Sequence, residues 1–465
     1  MEKRKQMLEN EKIQVLLYSL SMPAIIGMLV RAMHNVIDTI FIGQGIGKIA
    51  VASMAIILMI QMLGMAVAQT ISIGGGSLVS RCFGACKIED LNDTVGNMFF
   101  LTLIATIIIS TLGYIYIDPI LRFFGASDAM MPYAREYMVV LTLGLGCFFF
   151  EIVGTEIIRA EGHANMVMRL MLLASVTNLV LDPFFIFDKL NILGLEINGL
   201  GMGMTGAALA TILAEGVTCL YILYYFYHNK GVARINLTHI KLKFEKMKEI
   251  FAIGISHFLM QAAMITVIFA INWAVKHNSG AYEDDMLAIF SVIVRVYMLI
   301  LMPLYGVLQG FAPIAGFNYG ANNIKRVLKA THEAIKANTY ICIAGFILVM
   351  GFAEPITALF IKDDLELVKT GALAMRVVII MTPIVGFQMV VSSLYQAIGK
   401  ARAAMVLAAL RQMILLLPLV LILSKFYGIT GLAAAFPISD FIAAIITAIM
   451  LYYEVRLLRK EMAAQ

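Results

Sequence analysis

Five stretches of this chain contain no Asp, Glu, Lys or Arg, and each is long enough to cross a lipid bilayer. A soluble domain carries about 25% charged residues, whereas this chain is 61% hydrophobic and only 14% charged. So much apolar surface needs lipid as its solvent, and a helix can satisfy its own backbone hydrogen bonds there. The sequence therefore predicts an all-α membrane protein. The five stretches are Ile49–Ser80, Thr94–Ile117, Ile250–Val275, Val296–Asn323 and Val377–Gly399.

Single charges interrupt the remaining apolar segments, and the whole pattern predicts about twelve spans of about 20 residues or more. The charged start, Met1–Lys12, runs into an apolar segment longer than a signal-peptide core. We therefore expect no cleaved signal peptide and a first span that stays in the membrane. The predicted spans are 14–40, 49–80, 93–117, 131–158, 166–187, 199–226, 247–275, 286–316, 334–355, 369–396, 402–424 and 427–453.

The Lys and Arg residues of the connections predict the orientation. With the N-terminus in the cytoplasm, the termini and the even-numbered connections, with Arg411 counted among them, hold roughly three times as many basic residues as the opposite side. We therefore predict a multi-pass protein of the cell membrane with both termini in the cytoplasm. The net charge of +5 lies mostly on one face, so it is no sign of nucleic-acid binding, and we expect no nucleic-acid partner.

The two halves of the chain resemble each other. Gly84-Ala85 matches Gly320-Ala321, and Arg159-Ala160-Glu161-Gly162 matches Gln396-Ala397-Ile398-Gly399, at offsets of about 236 residues. An even number of spans per half gives parallel repeats, related by an axis along the membrane normal. The sequence thus predicts two six-helix lobes: an N-lobe at 1–228 with helices 1–6, a cytoplasmic loop at 229–246, and a C-lobe at 247–465 with helices 7–12.

Carboxylates inside spans are costly, and they are candidates for function. Asp38 and Asp182 belong to the first half, and the matching positions of the second half are uncharged. Asn35 and Asp38 are three residues apart, and Asn178 and Asp182 are four apart, so each pair shares a helix face. In span 6, Thr211 lies four residues before Glu215. We interpret Glu215 as a residue that supports the aspartates and their neighbours without itself binding the ion.

Two carboxylates, an amide oxygen and a hydroxyl would suit a hard monovalent cation such as Na⁺. Two close carboxylates would equally suit a proton, so the residues leave the choice of ion open. The structural alternative is that Asp38 and Asp182 mark helix ends, because Asp182 precedes Pro183.

Other residues in the spans have simpler interpretations. Glu156 lies three residues before Arg159 and is expected to pair with it, whereas the sequence leaves the roles of Glu151 and Asp440 open. Pro23 removes a backbone hydrogen bond within helix 1, which predicts either a hinge or a static kink. The run Gly74-Gly75-Gly76 favours close helix packing.

These residues together resemble the MATE (multidrug and toxic compound extrusion) family. The resemblance implies two six-helix lobes, alternating access, and export of lipophilic organic cations in exchange for H⁺ or Na⁺. It implies that Asp38 and Asp182 bind the coupling ion, with Asn178 and Thr211 assisting; Thr205 is the alternative to Thr211, because of an extra loop near Asp188–Asn198. The matching segments are Pro23 with Asn35–Gly43, Arg159–Gly162, Asn178–Pro183 and Gly206–Thr211.

Other classes of protein fit less well. The seven His form no H-E-x-x-H motif and no nucleotide-binding loop is present, so we expect neither an enzyme nor direct use of ATP. A lipid or lipid-linked precursor flippase is the main alternative, although only Arg31, Arg295 and Arg376 lie within or at the edges of spans to hold phosphate. We expect no cofactor besides the coupling ion, small organic cations and the bilayer as partners, and a monomer as sufficient.

Overall fold

The computed structural model describes residues 2–192, 195–228, 230–234, 242–278, 283–360 and 365–463, and nearly all of them are helical. The helices are α1 (Glu2–Asn10), α2 (Ile13–Gly45), α3 (Lys48–Gly84), α4 (Ile88–Ile115), α5 (Ile117–Phe123), α6 (Met131–Ala160), α7 (Ala164–Ile186), α8 (Gly203–Tyr227), α9 (Phe244–Asn278), α10 (Glu283–Gly320), α11 (Ile324–Phe360), α12 (Leu365–Ile379), α13 (Thr382–Ala397), α14 (Ala401–Ala409) and α15 (Leu417–Ala463). A π-helical turn, Leu410–Leu416, joins α14 to α15.

In the described part of the chain, ten helices are long and apolar enough to cross a membrane, and the pair α12 and α13, bent by 41°, is an eleventh candidate. One of the ten is the 63-residue run Ala401–Ala463, about three times as long as the hydrocarbon core is thick. Gly428 interrupts this run with φ 60° and ψ −140°, a conformation that favours glycine. The run is therefore two helices, the count reaches twelve, and the predicted all-α membrane class is confirmed.

A short antiparallel hairpin lies between α7 and α8. Its strands are β1 (Lys189–Ile192) and β2 (Leu195–Asn198), with Lys189 opposite Asn198 and Ile192 opposite Leu195. The hairpin occupies the extra loop of the first half, for which the sequence pattern predicted no strands. Because the hairpin returns the chain to its starting point, α7 and α8 remain neighbours despite the insertion.

The chain divides into two compact units. The N-terminal unit comprises Met1–Arg4 and Ile26–Gly254, and the C-terminal unit comprises Lys5–Ile25 and Ile255–Gln465. Helices α2 and α9 therefore each contribute to both units, and α2 changes unit two residues after Pro23. The sequence pattern placed the boundary between the lobes in the loop 229–246, part of which lies outside the described residues. The parallel-repeat relation of the lobes stays a prediction.

Each unit has an apolar core of its own. In the N-terminal unit, side chains of α2, α3, α6 and α8 pack together, among them Ile42, Ile57, Tyr137 and Ala207. The C-terminal unit has a comparable core, built from side chains of α9, α10, α11, α12 and α15. These cores hold the helices that carry the buried carboxylates described below.

Helices α3 and α9 cross with their backbones in contact inside the N-terminal unit. A Cβ atom added to Gly74 would lie 2.0 Å from the carbonyl oxygen of Ile250, and one added to Gly254 would lie 1.8 Å from that of Thr70. Only glycine permits so close an approach, and the glycine run at Gly74 therefore marks close helix packing.

We expect Gly254→Ala to lower the free energy of unfolding by about 1–3 kcal/mol, because backbone atoms of α3 cannot move aside for the new methyl group. The matched control is Gly216→Ala in α8, where an added Cβ would meet no atom of another described element within 4 Å. That change should be neutral or stabilise by up to about 1 kcal/mol, since Ala is the better helix former. Thermal unfolding of both purified variants measures the difference, and equal midpoints would contradict this packing.

Candidate functional site

Two buried carboxyl groups face each other in the N-terminal unit. Asp38 in α2 is 8% exposed and Asp182 near the end of α7 is 1% exposed, and the two side chains lie within hydrogen-bond reach of each other. Among the described residues, no donor reaches Asp38 Oδ1 or Asp182 Oδ2. Two adjacent negative charges repel strongly in such surroundings, so the pair favours the binding of a proton or a small cation.

Asn178 and Thr211 complete one side of this pair. The amide Nδ2 of Asn178 donates to Asp182 Oδ1 at 3.1 Å and lies 3.4 Å from Thr211 Oγ1. The Thr211 hydroxyl donates to the carbonyl oxygen of Ala207 at 3.1 Å, as threonines in helices often do. Thr205 lies six residues earlier on α8, nearly two turns away, so the structure brings Thr211 to Asn178.

Tyr137 is a fifth member of the site, and the sequence pattern did not single it out. It lies in α6, is fully buried, and its hydroxyl group lies near the polar side chains of Thr211 and Gln61. A buried tyrosine hydroxyl usually needs such polar partners. One Tyr in an apolar span carries no signal of its own, and only the packing of α6 against α3 and α8 reveals it.

The structure does not bring Asn35 into this group. Its side chain is exposed, and its backbone oxygen accepts a 2.8 Å hydrogen bond from the Thr39 hydroxyl. No hydrogen bond joins the Asn35 side chain to Asp38 or Asp182 in the part of the chain that is described. Its role as an ion ligand stays a prediction, as does the hinge at Pro23, which lies inside α2.

Glu215 belongs to a separate ionic cluster around Arg31. The Nη2 atom of Arg31 lies 3.2 Å from Glu215 Oε1 and 3.4 Å from Glu151 Oε2. Both glutamates are buried, and Glu215 Oε2 has no partner among the described residues. The structure thus places Glu215 on Arg31, and its predicted support of the aspartate pair stays a prediction.

The predicted pair of Glu156 and Arg159 is confirmed, since the two form a salt bridge. The neighbouring Glu161 is fully buried just after α6, where it accepts hydrogen bonds from the backbone N–H of Ala233 at 2.7 Å and from Arg4 at 3.3 Å. Burial raises the pKa of the Glu161 carboxyl group, and the hydrogen bond from Ala233 opposes this shift. The Arg159–Gly162 segment therefore ties the start of the chain to the connection after α8.

No group of three or more His, Cys, Asp or Glu side chains in the described ranges could hold a metal ion. A monovalent cation at the aspartate pair would therefore need the neutral oxygens of Asn178 and Thr211 as additional ligands. The chemistry that the arrangement supports is reversible binding of one small positive charge.

Comparison with known proteins agrees with this architecture. The MatE family model matches residues 23–184 and 252–422. The multidrug export protein MepA of Staphylococcus aureus (strain bovine RF122 / ET3-1) is 24% identical over 435 residues, which cover 93% of this chain and 92% of the relative. MepA of Staphylococcus haemolyticus (strain JCSC1435) is 24% identical over 446 residues, which cover 96% of this chain and 94% of that protein.

Solved structures give the same result for the fold. A crystal structure of a MATE protein in the bent conformation superposes with a TM-score of 0.90 at 28% identity, covering 99% of both chains. An outward-facing multidrug resistance MATE transporter of the MOP superfamily superposes with a TM-score of 0.88 at 28% identity, covering 98% of this chain and 99% of that one. Because the family model matches well over half of the residues, this chain belongs to the MatE family.

Proposed function

We propose that this protein exports lipophilic organic cations from the cell in exchange for H⁺ or Na⁺, and that the coupling ion binds between Asp38 and Asp182. The observation that carries the proposal is the contact between these two buried carboxyl groups, each with an oxygen that no described donor reaches. The substrate class is supported by the relatives, which are named multidrug export proteins.

Coupling requires that the ion and the substrate bias the same conformational equilibrium in opposite directions. An ion at Asp38 and Asp182 removes the repulsion between them and changes how α2 packs against α7. Pro23 lies upstream in α2, close to the point where this helix passes from one unit to the other. Binding of the ion is thereby linked to a rearrangement of α2 that lowers the affinity for substrate, and the linkage is reciprocal.

The driving force available to such an exchange is the concentration gradient of the coupling ion. A one-for-one exchange of a monovalent ion for a monovalent organic cation moves no net charge across the membrane, so the membrane potential adds nothing to it. A tenfold gradient of the ion supplies about 1.4 kcal/mol.

The orientation of Asn178 bears on the choice of ion. Its amide nitrogen faces both Asp182 and Thr211, which suits a pair that shares a proton. A Na⁺ ion would require the amide to turn by about 180°, so that the oxygen replaces the nitrogen. The two ions therefore make different demands on one side chain, and Asn178→Ala should impair Na⁺ binding more than proton binding.

The test is gradient-driven export of tetraphenylphosphonium, a permanently charged lipophilic cation, from proteoliposomes. A proton gradient and a sodium gradient are imposed separately at the same membrane potential. We expect one of the two gradients to accelerate export above the rate of a control without an imposed gradient. If folded and inserted protein responds to neither gradient, the antiporter proposal fails, and transfer of a labelled lipid between leaflets tests the flippase alternative.

A further inference from the structure

A cavity of about 470 Å³ lies within the C-terminal unit, and none of its lining residues belongs to the aspartate pair. The first turns of α2 form one wall, and α10 and α11 form the other. Its lining grades from polar to apolar: Gln14, Glu333 and Lys336 lie at one end, and Leu17, Met22 and Ile341 lie further along. Tyr18 and Tyr340 also line it, and both are largely exposed.

The polar end of the cavity coincides with the predicted edge of the membrane. Helix α11 carries its charged residues in its first part, ending at Lys336, and no further charge follows until Glu354. Helix α2 likewise follows the charged Lys12 and then has no charge until Arg31. Tyrosines are enriched where a helix passes from headgroups into hydrocarbon, and Tyr18 and Tyr340 stand just inside that change on each helix. The charge pattern predicts this edge to be the cytoplasmic one.

The polar end carries one negative and one positive side chain, which lie too far apart to form a hydrogen bond with each other. Glu333 Oε2 accepts a 3.2 Å hydrogen bond from Gln14 Nε2. Its other oxygen lies 4.0 Å from Lys336 Nζ, and the two side chains are 14% and 47% exposed. At that separation the ammonium and carboxylate do not satisfy each other, because a charge-assisted hydrogen bond is about 2.7–2.9 Å long. Each retains capacity for a ligand of opposite charge.

We propose that this cavity binds an aminophospholipid of the bilayer, of the phosphatidylethanolamine type. The lipid ammonium donates hydrogen bonds to Glu333, the phosphate accepts from Lys336, and an acyl chain lies along Leu17, Met22 and Ile341. An organic cation alone would be repelled by Lys336, and an anionic headgroup without an amine would leave Glu333 facing negative charge. The graded lining and the paired charges match a zwitterionic headgroup best.

A bound lipid would brace the first part of α2 against α11 up to Pro23. The lipid would therefore stabilise the segment of α2 that belongs to the C-terminal unit. This role is independent of the proposed coupling ion, because the cavity shares no residue with the aspartate pair.

The experiment measures binding of dioleoyl phosphatidylethanolamine to the delipidated full-length protein by native mass spectrometry, with thermal unfolding in parallel. Dioleoyl phosphatidylcholine, whose quaternary amine cannot donate a hydrogen bond, and dioleoyl phosphatidylglycerol, which lacks an amine, are the comparison lipids. We expect phosphatidylethanolamine to bind about tenfold more tightly than either, which is the usual worth of a hydrogen bond to a charged group. Equal binding of the three lipids would overturn the proposal.

Four variants locate the site. Glu333→Gln keeps the size of the side chain and should abolish the preference for phosphatidylethanolamine over phosphatidylcholine. Lys336→Gln should weaken all three phospholipids about fivefold, as expected for one Lys at a membrane surface. Ala337→Trp fills the cavity and should remove the preference, whereas Lys329→Gln, an exposed residue of α11 outside the cavity, should change nothing.

Two results would contradict the assignment. One is that Lys329→Gln and Lys336→Gln have the same effect, which would indicate only general attraction to lipid. The other is that Glu333→Gln weakens binding of tetraphenylphosphonium but leaves lipid binding unchanged, which would make the cavity a site for organic cations.

Discussion

Asp38→Asn and Asp182→Asn are each expected to reduce gradient-driven export of tetraphenylphosphonium more than tenfold, with the unfolding temperature of the purified protein almost unchanged. Asparagine has nearly the volume of aspartate, but it neither binds a proton nor carries a charge in the physiological range. Because both carboxyl groups contact each other, replacing either one removes the paired site. Folding should survive, since two buried carboxylates repel each other and their loss relieves that repulsion.

The control is Asp128→Asn, which removes a carboxylate of the same unit that is 87% exposed and pairs with Arg122 at 3.0 Å. A surface ion pair of this kind contributes about 0–1 kcal/mol, so export should stay at the wild-type level. If either aspartate variant exports at the wild-type rate, the coupling ion does not bind at this pair.

Arg411→Met is expected to lower the free energy of unfolding of the C-terminal unit by about 3–5 kcal/mol, the usual result of leaving one partner of a buried ion pair alone. Arg411 Nε lies 2.6 Å from Asp440 Oδ1, with side chains that are 17% and 5% exposed, and the Arg411 guanidinium also contacts the Tyr297 hydroxyl. Without the arginine, Asp440 would keep a negative charge in an apolar core or would take up a proton.

The double variant Arg411→Met with Asp440→Leu should recover most of the lost stability, because a buried ion pair replaced by apolar groups of similar volume is often neutral. Thermal unfolding of the two variants beside wild type measures this recovery. If the single variant is as stable as the wild type, the pair does not hold this part of the unit together. If the double variant is the least stable of the three, the surrounding packing matters more than the charges.

Asp38 and Asp182 were predictable from the sequence for a physical reason. A carboxylate in an otherwise apolar span is costly, and it therefore indicates a function. A spacing of four residues places Asn178 on the same helix face as Asp182. The long uncharged runs predicted the membrane class in the same way. Their length matches the thickness of a bilayer, and their apolar side chains need lipid as the surrounding solvent.

Contacts between helices were not predictable, because periodicity identifies a face but not the helix that it meets. Tyr137 reaches Thr211 only through the packing of α6 against α8, and the pairing of Glu215 with Arg31 of α2 likewise depends on how two helices meet. The strands β1 and β2 were not predictable because each is only four residues long, which is too short for a clear alternation of apolar and polar residues. Each of these features depends on tertiary packing and not on a local pattern.

Arg411 corrects the charge count that predicted the topology. The count assigned it to a cytoplasmic connection, but the structure places it in the π-helical turn Leu410–Leu416, well after the start of α14. A partner carboxylate 29 residues later in the chain compensates its charge, and no local pattern announces that pairing. The regular alternation of the other basic residues does not depend on Arg411.

We propose that the coupling ion and the substrate compete through Asp38 and Asp182. The decisive measurement is the affinity of the purified protein for tetraphenylphosphonium as a function of proton and of Na⁺ concentration, in the wild type and in the variant Asp38→Asn with Asp182→Asn. We expect one of the two ions to weaken binding in the wild type, and we expect no such dependence in the double variant. The same ion dependence in both proteins would contradict it.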